Sequence, residues 1–174
     1  MPCSKETKSN DKKNTEMENI EQIKQKALDL RYLRMARIWA ENSYCKRRQV
    51  GALVVKEKMI ISDGYNGTPS GFENVCEDEG VTKPYVLHAE ANAITKLARS
   101  SNNSDGSTLY VTASPCIECA KLIIQAGIRR VVYAEKYRLN DGILLMQRAG
   151  IKVEYLNPEE QTVTEQPQHT GKEQ

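Results

Sequence analysis

The chain has 174 residues, 39% of them apolar and 28% charged, with 25 Lys and Arg against 23 Asp and Glu for a formal net charge of +2. That is one domain's worth of chain with a leaner core than usual. The near balance of charge argues against a nucleic-acid-binding footprint, and the lack of an apolar run of about 18 residues argues against a transmembrane helix.

In chain order, residues 1–17 and 157–174 carry almost no large apolar side chain. Both are expected to be disordered tails, the first without a secretory h-region, leaving a folded domain over 18–156. Apolar residues at Ile20, Ile23, Ala27, Leu30, Leu33, Met35, Ile38 and Trp39 predict an amphipathic helix over 20–42. Val-rich residues 50–55 and then 59–65 read as two strands joined by a hairpin, followed by loop chemistry from Asn66 to Gly71 and a polar loop over 72–84. Residues 88–99 are Ala-rich and free of Gly and Pro, so a helix is expected. Strand 108–112, helix 115–126 closed by Gly127, strand 129–134, helix 141–149 closed by Gly150 and strand 151–155 complete the chain. The alternation predicts an α/β fold: a three-layer α/β/α sandwich around a mixed five-stranded sheet.

Five cysteines are present, at 3, 45, 76, 116 and 119. An odd count without a secretory signal argues against a disulfide framework and for a cytoplasmic protein, and makes metal binding the better use of clustered thiols. His88-Ala89-Glu90 precedes Pro115-Cys116-Ile117-Glu118-Cys119, with 24 residues between Glu90 and Pro115. Each half is weak by itself: H-x-E is common by chance, and a lone C-x-x-C fits a redox pair or half of a structural zinc site. Together they make the recorded H-x-E…P-C-x-x-C pattern of zinc nucleobase deaminases.

The chemistry explains the pattern. Catalytic zinc takes three protein ligands and keeps a fourth position for water; imidazole and thiolate suit it. His88, Cys116 and Cys119 are the expected ligands of one catalytic Zn2+. Both motifs fall at predicted helix starts, where the positive dipole end favours thiolate. Cys116 and Cys119 share a helical face, whereas His88 and Glu90 diverge, so ligand and acid can divide the work. Glu90 is expected to carry the proton of an activated water to the pyrimidine N3 and then to the departing amine, with the main chain at Ala113 and Ser114 facing that amine.

The stretches KPYVLHAEANAI and SPCIECAKLIIQAGIRRVVY, with VGALVV and GYNG upstream, resemble the deoxycytidylate (dCMP) deaminase family within the zinc-dependent cytidine deaminase superfamily. The resemblance spans residues 45–155 and implies a cytidine-deaminase-like fold and hydrolysis of dCMP to dUMP and ammonia. It also implies substrate contacts from Asn66, from Arg47 or its neighbour Arg48, and from the Tyr137-Arg138 pair. It implies a homo-oligomer, between dimer and hexamer, with dCTP and dTTP as effectors and neither membrane nor nucleic acid as partner. Arg99 stands eleven residues past His88, roughly 16 Å along the helix, too far to reach the phosphate in the same subunit. Some family members hold a second zinc, for which Cys45 and Cys76 resemble two ligands. Here Val86 stands where an acidic ligand is expected, and His169 lies in the C-terminal tail. One zinc is therefore expected, with Cys45 and Cys76 as buried free thiols. Two other readings stay open: a deaminase of another base (tRNA adenosine, guanine or dCTP), or a non-enzymatic zinc-stabilised nucleotide-binding or DNA-uptake module. A binding module has little use for an acid such as Glu90 beside an open metal position.

Overall fold

A computed structural model describes residues 6–159, with side chains from residue 16 onward. Its elements are α1 (Glu6–Ala40), β1 (Gly51–Lys56), β2 (Met59–Tyr65), β3 (Glu77–Asp78), β4 (Val81–Thr82), α2 (Ala89–Leu97), β5 (Thr108–Ala113), α3 (Ile117–Gln125), β6 (Arg130–Glu135), α4 (Asp141–Arg148) and β7 (Lys152–Tyr155). Five strands form one mixed sheet, as the sequence predicts, and their order is β2-β1-β5-β6-β7. The pairs β2/β1 and β1/β5 are antiparallel; β5/β6 and β6/β7 are parallel.

The parallel strands advance in one direction through α3 and α4, so right-handed crossovers place both helices on the same face. Strand alternation then divides the core. Ala52, Val54, Leu109, Val111 and Val131 pack under α2, α3 and α4 with Ala93, Ile123 and Met146. Leu53, Val55, Tyr110, Val132 and Ala134 face the other way and meet Tyr32, Leu33 and Ala36 of α1. Strands covered on both faces read as continuous apolar runs, and β1 and β6 do.

The helix α1 departs from expectation at its start. Residues 6–17, expected as a tail, are helical. They are polar, yet rich in Glu and Lys, which propagate a helix well once packing of its C-terminal half has nucleated it. At the other end the folded chain reaches beyond 156: Pro158 is buried, and Glu159 pairs with Arg37. The remaining tail residues, 1–5 and 160–174, lie outside the described residues. The loop predicted over 72–84 contains the two-residue strands β3 and β4, too short to show periodicity. Cys45 and Cys76, expected as free thiols, are joined in a disulfide with Cα atoms 5.1 Å apart. The resemblance groups these two thiols as ligands of one metal, but at a sequence separation of 31 their covalent pairing shows only in the fold, which brings their loops together. Among the described residues no helix is long and apolar enough to cross a membrane.

A buried ion pair fastens α1 to the sheet. Asp29, 3% exposed, accepts two bonds from Arg130, at 2.8 and 2.6 Å, and one from the Tyr110 hydroxyl at 2.6 Å. Burial pushes the Asp29 carboxyl up, but the bonds from Arg130, Tyr110 and Gln25 outweigh it and hold it below the usual range. Because the folded value lies below the unfolded one of about 3.9, this contribution is complete above that pH and is lost as pH falls through the folded value. Removing one partner of such a pair strands the other. Asp29→Asn should therefore cost about 3 kcal/mol or more and lower Tm by roughly 6–12 °C at pH 7, with the loss shrinking in acid. Thermal unfolding of the two proteins across pH checks this; an unchanged Tm would contradict it.

Candidate active site

The edge of the sheet where β5 and β6 end is also where β1 begins, since β1 runs antiparallel to β5. In open α/β sheets, ligands bind beyond the carboxyl ends of the parallel strands, where strand direction changes. Two helices start there. His88 is the N-cap of α2 and Cys116 the N-cap of α3; both have extended backbones, and their carbonyls accept from Asn92 and Ala120 at 2.9 Å each.

Local chemistry fixes where α2 starts. Gly67 and Leu87 form a two-way bridge, with N–H to carbonyl distances of 3.1 and 2.9 Å, and His88 follows directly. The Asn92 amide donates to the Tyr65 carbonyl at 2.9 Å, pinning the first turn of α2 to the loop. A Cβ on Gly64 would lie 2.2 Å from the Ala89 carbonyl oxygen and 2.6 Å from the Ala93 nitrogen, so the close approach of α2 to β2 requires glycine here. On the α3 side, a Cβ on Gly142 would meet the Pro115 carbonyl oxygen at 2.3 Å, so the start of α4 packs backbone to backbone on the Pro115–Cys116 peptide.

These constraints bring His88, Cys116 and Cys119 together. His88 Nδ1 lies 3.4 Å from each sulfur, and all three ligand atoms fall within 4.8 Å of one another. In a tetrahedral zinc shell with Zn–N of about 2.05 Å and Zn–S of about 2.3 Å, neighbouring ligand atoms stand about 3.6 Å apart. Both the donor set and its spacing fit zinc. The three donor groups come from two helix starts, and Glu90 parts company with His88. Glu90 is 4% exposed, with the Cys119 thiol within bonding reach.

The electrostatics of the cluster suit a cation. The Cys119 thiol and His88 both bond to the Cys116 sulfur and hold it down at about 3, a thiolate at neutral pH. Cys119 is pushed up by its bond to Cys116 and by burial. The bond to Cys116 raises His88 despite burial. Burial drives the Glu90 carboxyl above its usual range. A metal that displaces the shared protons gains the site's attraction for positive charge.

The expected substrate residues do not all converge. Tyr137 lies at the site: its N–H donates to Ser114 Oγ at 2.8 Å, two residues before Cys116. Arg48 lies over the Tyr137 ring, 5.6 Å from its centroid, and Arg138 is exposed next in the chain. Arg47 points elsewhere, donating to Thr82 Oγ1 at 3.2 Å while its backbone N–H bonds to Glu77. Of the two arginines that the sequence left open, Arg48 is the one beside Tyr137. The Asn66 side chain is a strut: Oδ1 accepts from the Val50 N–H at 2.7 Å, and Nδ2 donates to the Arg48 carbonyl at 2.8 Å. Asn66 therefore fixes the segment that carries Arg48. Arg99 lines a separate cavity of about 550 Å³ with Tyr65, Gly67 and Lys96. Sequence reasoning missed Asn92 as the pin of α2, because its role depends on a carbonyl 27 residues away.

Comparison with known proteins agrees with this geometry. Residues 26–135 match the family model described as the cytidine and deoxycytidylate deaminase zinc-binding region. ComE operon protein 2 of Bacillus subtilis is 38% identical over 138 residues, covering 76% of this chain and 72% of that protein. Human deoxycytidylate deaminase is 40% identical over 134 residues, covering 69% and 74%. The crystal structure of dCMP deaminase from cyanophage S-TIM5, in complex with dCMP and dUMP, superposes with a TM-score of 0.71 at 50% identity, covering 72% of this chain and 93% of that one. The chain belongs to the cytidine and deoxycytidylate deaminase family, and the matched zinc-binding region contains the His88, Cys116 and Cys119 group, whose donor atoms could hold a metal ion.

Proposed function

We infer that the protein hydrolyses dCMP to dUMP and ammonia, on one observation above all: a buried carboxylate, Glu90, stands beside a three-ligand metal cluster of His88, Cys116 and Cys119. Zinc held by these residues supplies Lewis-acid chemistry, bringing the pKa of a water toward neutrality. In the net reaction a C4–O bond forms, the C4–N4 bond breaks, and water's protons end on N3 and on the leaving ammonia. Glu90 accepts a proton from the attacking water, delivers it to N3, and then serves the departing amine. Its burial keeps bulk water from competing for that proton. Ala113 and Ser114, both buried, form the wall before Pro115 that faces the exocyclic amine.

The choice of a nucleotide monophosphate is supported by the ligands of the cyanophage relative and by the basic rim of the site. Arg48, Tyr137 and Arg138 hold the phosphate and sugar, and Asn66 sets the loop from which Arg48 projects. Charge-assisted bonds from arginine suit a phosphate dianion. The resemblance also brings a homo-oligomer with dCTP and dTTP as effectors. The cavity walled by Lys96 and Arg99 supports an anionic occupant away from the zinc centre.

Glu90→Gln keeps the shape and removes the titrating oxygen. Zinc content and dUMP affinity should persist while kcat falls by about a thousandfold or more. Steady-state kinetics with metal analysis decides; near-normal turnover would remove the assigned role. Cys119→Ala should lose most bound zinc and, because metal binding is coupled to folding, lower Tm. Unchanged zinc content in the purified variant would refute the ligand set.

A further inference from the structure

Glu135 ends β6 beside the site, and its carboxylate carries two arginines. Arg48 Nη2 donates to Oε2 at 2.7 Å, and Arg37 Nη2 to Oε1 at 3.5 Å. The backbone at each end of this arrangement is tied down. The Ser114 N–H donates to the Glu135 carbonyl at 2.8 Å, and the Arg48 carbonyl accepts from Asn66 at 2.8 Å. The guanidinium is thus caught between the Glu135 carboxylate and the Tyr137 ring, on the strand end that borders the zinc ligands.

The pair is half-exposed, with side-chain accessibilities of 35% for Arg48 and 49% for Glu135. An ion pair this wet adds little to stability. Its consequence lies in conformational freedom. An unrestrained arginine loses its rotamer entropy when it grips a ligand; one already held in place does not. The guanidinium has five N–H donors in a rigid fork, so a bond to Glu135 leaves others for an anion. Arg37 is shared with Glu159, so the two arginines are matched by two carboxylates, and the donors left for an anion are those of Arg48.

We propose that Glu135 is a positioning residue, holding the Arg48 guanidinium against Tyr137 so that its remaining donors meet the substrate phosphate. This rests on the reading of Arg48 as a phosphate ligand. The sign of the effect separates positioning from bulk charge. Removing a carboxylate makes the rim more positive, so electrostatics alone would tighten phosphate binding, whereas loss of positioning weakens it.

The test is calorimetric titration of the full-length zinc-bound protein with dUMP and with deoxyuridine. Glu135→Ala should raise Kd for dUMP about three- to tenfold, the factor for immobilising one long side chain, and leave Kd for deoxyuridine unchanged. Glu135→Gln, which still offers an oxygen to Arg48, should fall between wild type and Glu135→Ala. Arg48→Ala should abolish most of the preference for dUMP, and adding Glu135→Ala to it should cost nothing further. Tighter or unchanged dUMP binding by Glu135→Ala, or equal loss for both ligands, would overturn the positioning role while an Arg48→Ala effect still upheld the phosphate reading. If Arg48→Ala left dUMP affinity unaltered, both would fall together.

Discussion

Everything in this molecule depends on two helix starts being held a few ångströms apart at one edge of the sheet. His88 and Cys116 are both N-caps with extended backbone, and each leads a nine-residue helix. Neither motif could form the centre alone. The register between them is set by contacts too close for a side chain: Gly64 under α2 and Gly142 against the Pro115–Cys116 peptide. The Gly67–Leu87 bridge then decides which residue caps α2. The GYNG run reads in this light as architecture. Gly64 admits a helix, Tyr65 and Gly67 hold its first turn, and Asn66 ties the strand-entry segment that bears Arg48.

Electrostatics follows from that geometry. Two sulfurs and an imidazole nitrogen crowd together, so they share protons, and Cys116 is held as thiolate. A buried carboxylate next door adds to the attraction for a divalent cation. Outside this negative centre, the rim formed by Arg48 and Arg138 is basic. A nucleotide needs both: a metal centre at its base and cations at its phosphate.

Much of this was legible from the sequence, for identifiable reasons. The strands and helices of the sheet region carry strong periodicity and clear Gly stops, and the motif spacing picks out the His88, Cys116 and Cys119 group that the fold brings together. The rest required three dimensions. The start of α1 was hidden because its first turns have no apolar face and depend on a helix packed further along. The Cys45–Cys76 disulfide and the two-residue strands nearby arise from loop convergence that no local pattern encodes. Arg47 and Arg48 are adjacent and chemically identical, so only the fold shows that one meets Thr82 and the other Tyr137. Glu135 has no motif at all; it matters because a strand happens to end where an arginine from another strand's entry passes over.

The most direct test of the central claim is product formation by purified zinc-bound protein offered dCMP, CMP, dCTP, deoxycytidine and guanine side by side. Stoichiometric ammonia and dUMP from dCMP, with far less product from the others, is the result expected of the site described. A zinc-loaded protein that releases no ammonia from dCMP, or that prefers guanine, would contradict it.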